Sequence, residues 1–179
     1  RFEPVGSRFS APDLEERILG FWRERDIFRR SIDERPDAPV FSFFEGPPTA
    51  NGTPGVHHIE ARVFKDLYPR YRTMKGYHVP RKAGWDCHGL PIELNVEKDK
   101  GAPDKDRSPV EFRRACRAFA TKFVASQRED FKRLGIIGDW DAPYLTMTPD
   151  YQAAIVRALG QFVQRGLEER EVGARHGAH

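Results

Sequence analysis

An α/β fold with parallel strands and added helices is predicted for this chain by three observations. A strand-like run, VFSFFE at 40–45, is followed by helical periodicity from Pro54 and then by a second strand-like run, YHVPRKAGWD at 77–86. The three fit within about 45 residues, which is room for a right-handed βαβ crossover and therefore for parallel pairing. Each strand also runs into a loop rich in Gly and Pro, GPPTANG after the first and GWDCHGLPIE (84–93) after the second. In open parallel sheets, ligands bind outside the carboxyl ends of the strands, so both loops fall where a site is expected.

The elements follow in order. Ser10 reads as the cap of a first helix whose opening turn carries Pro12, Asp13, Glu15 and Glu16, where negative charge complements the dipole. Leu14, Ile18, Phe21, Trp22 and Phe28 form its expected buried stripe, and RPDAP at 35–39 ends it. Residues 1–39 are thus a helical extension ahead of the sheet. In the first strand, Val40, Phe41, Phe43 and Phe44 supply β-branched and aromatic content. Pro47 and Pro48 stiffen its exit, and Asn51-Gly52 is expected to give a turn that tolerates positive φ. Thr53 reads as the N-cap of the next helix with Pro54 at its first position. Val56, Ile59, Val63, Leu67 and Tyr71 lie on one side of that helix, which Pro69 is expected to kink or shorten and Gly76 to end.

Ser108-Pro109-Val110-Glu111 is a capping-box start for a long helix to about Leu134, with Phe112, Cys116, Phe119, Phe123 and Phe131 facing inward. GIIGDWDAPY at 135–144 reads as a loop. Thr148-Pro149-Asp150 opens a last helix that is expected to bury Ile155, Leu159 and Phe162 and to end at Gly166. LEEREVGARHGAH (167–179) offers few core residues and reads as a disordered or divergent tail. The chain divides accordingly into 1–39, 40–166 and 167–179. Its first residue is Arg1, and with the odd ending this reads as a partial chain.

Composition narrows the function. A length of 179 residues suits one domain with a useful core. Lys+Arg is 30 against Asp+Glu 27, and a net charge of +3 gives no broad field for gripping nucleic acid. Two cysteines, Cys87 and Cys116, fit a reduced cytoplasmic protein better than a disulfide scaffold. No apolar run approaches a membrane span and no leader-like segment opens the sequence, so no membrane role is expected.

The stretch GPPTANGTPGVHH (46–58) leaves a strand through two prolines and starts a helix with paired histidines. The free N–H groups and positive dipole end of that helix would point at whatever binds above the strand, which suits a nucleotide phosphate. His58 adds a donor aimed the same way, and Gly55 one turn earlier leaves room for a ligand. If the strands are neighbours, Asp86 and Pro47 share one rim, with a carboxylate for a cation beside a helix terminus for an anion. An amino acid beside a nucleoside triphosphate presents that pair of charges, and so do other ligands. Plainer readings stand beside these. The His57-His58 pair can be two solvated helix-start residues, and Asp86 an Asx-turn residue. Trp22, Trp85 and Trp140 read as core or loop anchors rather than stacking platforms. The basic residues Arg113, Arg114, Arg117, Lys122, Arg128, Lys132 and Arg133 read as a solvated helix face, with acceptor-stem contact the sharper alternative. Cys87 and His88 with the two histidines bring zinc to mind. Adjacent helical histidines, however, point about 100° apart and the cysteines lack ligand spacing, so no metal site is expected.

From FEGPPTANG through RYRTMKGYHVPRKAGWDCHGLPIELNVEK the sequence resembles the first half of the catalytic domain of isoleucyl-tRNA synthetases, class I aminoacyl-tRNA synthetases, and the resemblance runs from about Phe41 to Gly166. It implies the first half of a Rossmann-like nucleotide-binding domain. GWDxHGLPxE favours isoleucine over the leucine enzymes, which tend to read GWDAFGLP. One departure stands out. The usual His-x-Gly-His at the helix start is here Gly55-Val56-His57-His58, with the first and third positions exchanged; a branch of the isoleucine family resembles this chain in that form.

The resemblance implies ATP-dependent activation of L-isoleucine and its transfer to tRNA(Ile), with ATP entering as substrate with Mg2+. It implies ATP contacts from Thr49, Asn51, Gly55, His57 and His58, with His58 and His57 at the reacting phosphate. It implies an isoleucine site from Gly46, Pro47 and Asp86, where Asp86 holds the ammonium. The family's editing domain, its Lys-Met-Ser-Lys-Ser loop and its anticodon-binding region find no counterpart here, so activity is expected of a full-length parent rather than of this fragment. Two alternatives remain: a truncated non-catalytic nucleotide- or tRNA-binding product, and another adenylyl-transferring enzyme of the superfamily.

Overall fold

A computed structural model describes residues 9–100 and 108–166; the expected tail at 167–179 lies outside them. The elements are α1 (Ala11–Glu24), α2 (Ile27–Asp33), β1 (Phe43–Phe44), α3 (Val56–Met74), β2 (Arg81–Trp85), α4 (Leu90–Lys100), α5 (Pro109–Arg133), β3 (Asp139–Leu145) and α6 (Pro149–Gln164). The strands form one sheet in the order β1-β2-β3, with both pairings parallel. The α/β class and the parallel, adjacent pairing of the first two strands are therefore as the sequence predicts.

β1 is short, but its pairing reaches beyond its two residues. Bridges Val40↔His78 before it and Thr49↔Asp86 after it run parallel, and Phe41 N–H donates to the His78 carbonyl at 2.9 Å. Pro80 has no N–H to give the ladder, and β2 begins after it, at Arg81. β2 is the central strand: Arg81, Ala83, Gly84 and Trp85 are all buried. Trp85 is fully buried and sits in a core with Ala50, Ala83, Cys87, Ile92, Ala120, Val124, Phe131 and Met147. The inward face of α5 covers that core with Phe112, Ala120, Val124, Gln127 and Phe131, and Cys116, Phe119 and Phe123 pack half-buried beside them. Burial raises the Cys87 thiol to about 11, so it behaves as a small apolar side chain. Trp85 and Trp140 are anchors as expected, their rings 6.0 Å apart.

Several expectations are corrected. The 135–144 segment is not a loop, because Asp139–Leu145 forms β3 beside β2. An edge strand can carry Pro143, since its outward N–H positions need no partner. The first helix is two helices, broken where Asp26 takes a left-handed φ of 47°, and its stripe is not buried: Ile18 and Phe21 are exposed and Leu14, Trp22 and Phe28 half-buried. Ile155, Leu159 and Phe162 on α6 are about half exposed rather than buried. α3 runs through Pro69, which is buried, and continues to Met74 before Gly76 ends it with φ 88°. The Thr73 hydroxyl donates to the Pro69 carbonyl at 2.8 Å and accepts from Arg81 Nη2 at 2.8 Å, tying this last stretch to β2. Ser108 does cap α5, accepting from the Val110 N–H at 3.3 Å. α4, with Ile92 and Val96 buried four residues apart, had no counterpart in the sequence reading.

Candidate functional site

The rim at the carboxyl ends of β1 and β2 is stitched together by backbone. Asp86 N–H donates to the Pro48 carbonyl at 2.9 Å, and Ala50 N–H donates to the Asp86 carbonyl at 2.8 Å. Thr49 and Asp86 are therefore parallel partners, and the GPPTANG loop lies alongside the end of the central strand. With its main chain held, Asp86 keeps a partly exposed carboxylate. Its Oδ1 accepts from the Thr146 hydroxyl at 3.3 Å and lies 3.7 Å from His88 Nδ1. The same Thr146 hydroxyl accepts from the Cys87 N–H at 2.8 Å, so the residue after β3 fixes the turn that presents Asp86.

The start of the loop is held from below. Glu45, almost fully buried, pairs with Arg62 and with Lys65, whose Nζ is 2.6 Å from Oε1. Lys65 also donates to the Gly46 carbonyl at 3.0 Å, and the Tyr144 hydroxyl donates to the Glu45 carbonyl. Tyr144 can reach there because its ring lies on Gly84, where a Cβ would stand 2.1 Å from the ring. The end of the loop is held from α5. Gln127 donates through Nε2 to the carbonyls of Thr49 (3.0 Å) and Gly52 (2.7 Å) and accepts from the Trp85 indole N–H at 3.0 Å.

α3 begins later than Thr53-Pro54. Gly55 is its N-cap and His58 Nδ1 accepts the Gly55 N–H at 3.1 Å, a side-chain cap from the third helical position. In the neutral ring this leaves the proton on Nε2. Burial first, then the neighbouring charges of His57 and Arg62, lower the His58 pKa below its ordinary 6.5, which favours that neutral form. The first helical N–H groups, those of Val56 and His57, precede the first bonds of the helix, from the His58 and Ile59 N–H groups to the Gly55 carbonyl at 2.9 and 3.2 Å.

Two expectations about this stretch change. The His57 and His58 rings do not diverge; their centroids are 3.9 Å apart. His57 folds back over Gly55, where a Cβ would meet its Cε1 at 3.1 Å, so the space left by Gly55 holds an imidazole. Asn51-Gly52 turns without a positive φ; Asn51 N–H bonds the Thr49 carbonyl at 3.0 Å instead.

The sequence-derived residues thus fall into two clusters joined by one loop: Thr49, after Pro47 and Pro48, paired with Asp86 at the end of β2, and Gly55, His57 and His58 at the head of α3, with Asn51 between them. Gly46 is exposed and tied to Lys65. Sequence reasoning missed Gln127, Thr146, Glu45 and Arg62. Gln127 left a signal, an amide on the buried stripe of α5 between Val124 and Phe131. Thr146 left none once β3, which it follows, was read as loop. Among the described residues there is no group of three or more His, Cys, Asp or Glu side chains placed to hold a metal ion. Nor, among them, is any helix long and apolar enough to cross a membrane.

Comparison with known proteins gives a consistent result. Residues 17–173 match the family described as tRNA synthetases class I (I, L, M and V). An isoleucine–tRNA ligase of Streptomyces avermitilis is 46% identical over 171 residues, 93% of this chain and 16% of that protein. One from Alkalilimnicola ehrlichii is 51% identical over 151 residues, 84% of this chain and 16% of its own. The chain therefore spans about a sixth of the length of these relatives. Among solved structures, the Agrobacterium radiobacter LeuRS in a ternary complex with tRNA and LeuAMS superposes with a TM-score of 0.68 at 22% identity, covering 89% of this chain and 18% of that one, which establishes the shared fold.

Proposed function

Because this chain belongs to the class I tRNA synthetases of the isoleucine, leucine, methionine and valine group, we propose that it forms the amino-acid and ATP rim of an isoleucine–tRNA ligase. The protein containing it would activate L-isoleucine with ATP to isoleucyl-adenylate and pass the acyl group to tRNA(Ile). The observation that carries the reading is the Thr49↔Asp86 pairing, which puts a fixed carboxylate and the loop leading to a helix N-terminus on one rim.

In this reading Asp86 takes the substrate ammonium, and Gly46 and Pro47 line the aliphatic side chain. Thr49, Asn51, Gly55, His57 and His58 lie along the nucleotide, whose triphosphate brings its own Mg2+. An oxygen of the isoleucine carboxylate attacks the α-phosphorus, the mixed anhydride forms, and the bond to pyrophosphate breaks. No protein nucleophile takes part. The chain contributes alignment, and the Nε2–H of His58 with the first N–H groups of α3 faces the charge that grows on the phosphate. Cys87 and Cys116 as free thiols fit a cytoplasmic protein.

ATP–pyrophosphate exchange by the full-length protein containing this segment tests the proposal. Exchange should depend on isoleucine, with valine disfavoured by ~1–3 kcal/mol, the discrimination one methylene allows. Exchange stimulated by leucine and not isoleucine would reassign the substrate. Nucleotide binding with no exchange for any amino acid would favour a non-catalytic product.

A further inference from the structure

We infer that Gln127 is a positioning residue that locks the amino-acid side of the rim to the nucleotide side; the inference rests on the reaction proposed above. Its side chain is buried at 4% exposure, and both donors of its amide and the amide oxygen each have a partner. Oε1 accepts from the indole of Trp85, the residue immediately before Asp86. The two protons on Nε2 go to the carbonyls of Thr49 and Gly52, which bracket the turn at Asn51. One planar amide thereby joins the strand end that presents the carboxylate to the loop that leads into the helix terminus. α5, which carries it, contributes no residue to the proposed ligand contacts.

A primary amide is the chemistry this junction needs. An ionised carboxylate of the same shape could accept from the indole but would face two carbonyl oxygens with no proton to offer. A leucine would leave the indole N–H and both carbonyls without this partner. The backbone bridge between Thr49 and Asp86 would survive either change, so each half of the rim would persist. What loosens is the placement of one half against the other, on which the approach of the substrate carboxylate to the α-phosphorus depends. Misplacement of that kind falls on the chemical step rather than on the binding of either substrate alone.

The test is made in the full-length protein containing this segment, comparing wild type with Gln127→Leu and Gln127→Glu by isoleucine-dependent ATP–pyrophosphate exchange, with folded fraction followed by circular dichroism. Gln127→Leu should lower kcat roughly ten- to a hundredfold while the KM values for isoleucine and ATP stay within about threefold. Gln127→Glu should behave the same way near neutral pH, and its kcat relative to wild type should rise as pH falls, because a protonated carboxyl regains one donor for the carbonyls. Should Gln127→Leu fail to fold, this pH dependence of the Glu variant decides. Variants that keep kcat, or that lose it only in proportion to folded fraction with a flat pH ratio, overturn the role of Gln127. A wild-type protein with no isoleucine-dependent exchange overturns instead the reaction on which the role rests.

Discussion

His58 serves its helix with one ring nitrogen, Nδ1, and carries the proton of its neutral form on the other. Nδ1 caps Gly55, which fixes the ring and leaves that proton on Nε2. Because its pKa is lowered from 6.5, the folded state prefers the neutral ring more than the unfolded chain does. The unfolded chain thus binds the proton more readily. This contribution to stability is present above pH 6.5 and is lost as pH falls through the lowered folded value. Thermal unfolding of the full-length protein between about pH 5 and 7 should show that acid-side loss, and His58→Gln, whose amide oxygen can still accept the Gly55 N–H, should lack it. Equal slopes for the two proteins would remove His58 as the source. His58→Ala should cost roughly 3 kcal/mol in the transition state of activation, the usual loss for one oriented donor, seen as a fall in exchange rate larger than any change in isoleucine affinity. Asp86→Asn keeps the side chain's shape and its place between Thr146 and His88 but removes the charge. Loss of a charge-assisted bond worth roughly 1.5–3 kcal/mol should weaken isoleucine use about ten- to a hundredfold, with ATP affinity little changed. An isoleucine analogue without its amino group should be used poorly by both proteins; unchanged isoleucine activation in the Asn form would make Asp86 a turn residue only.

At the scale of elements, the sheet and the rim are one assembly. Glu45 joins β1 to α3 through Arg62 and Lys65, and Arg62 also lies 4.1 Å over the Phe131 ring of α5. Glu45→Gln should destabilise the fold by about 3–5 kcal/mol, because it leaves the Arg62 guanidinium buried without its counter-charge. Denaturant titration measures this, and a loss below about 1 kcal/mol would mean that the cation is solvated. Gly84→Ala drives a methyl into Tyr144 and should cost about 1–3 kcal/mol as β3 shifts from β2. The order β1, α3, β2 was legible because VFSFFE and the Gly- and Pro-rich loops punctuate a clean change of period. β3 was not, because Asp139, Asp141 and Pro143 suppress strand character in a segment whose pairing comes from its neighbour β2. The stripes on α1 and α6 were read correctly as apolar and wrongly as buried. Periodicity reports which face is apolar and says nothing of what covers it.

At the scale of the whole molecule, the two loops at the strand ends determine what the fold can present. Their meeting was legible from topology alone: parallel neighbours put both carboxyl ends on one rim, and the Thr49↔Asp86 bridge is there. The supports of that rim were not legible, since Gln127 lies 78 residues from Thr49 and Thr146 lies 60 from Asp86 along the chain. Such contacts follow from packing; the amide on the buried stripe of α5 marks Gln127 as unusual but does not name its distant partners.

In the proposed reaction one rim holds the amino acid at Asp86 and the nucleotide phosphate at the head of α3. A crystal structure of the full-length protein with a non-hydrolysable isoleucyl-adenylate analogue tests it most directly. The ligand ammonium should lie within hydrogen-bonding distance of the Asp86 carboxylate, and the phosphate-mimicking group should face His58 Nε2 and the first N–H groups of α3. An analogue bound with its ammonium held elsewhere, or with Asp86 still turned to Thr146 and the head of α3 unoccupied, would contradict it.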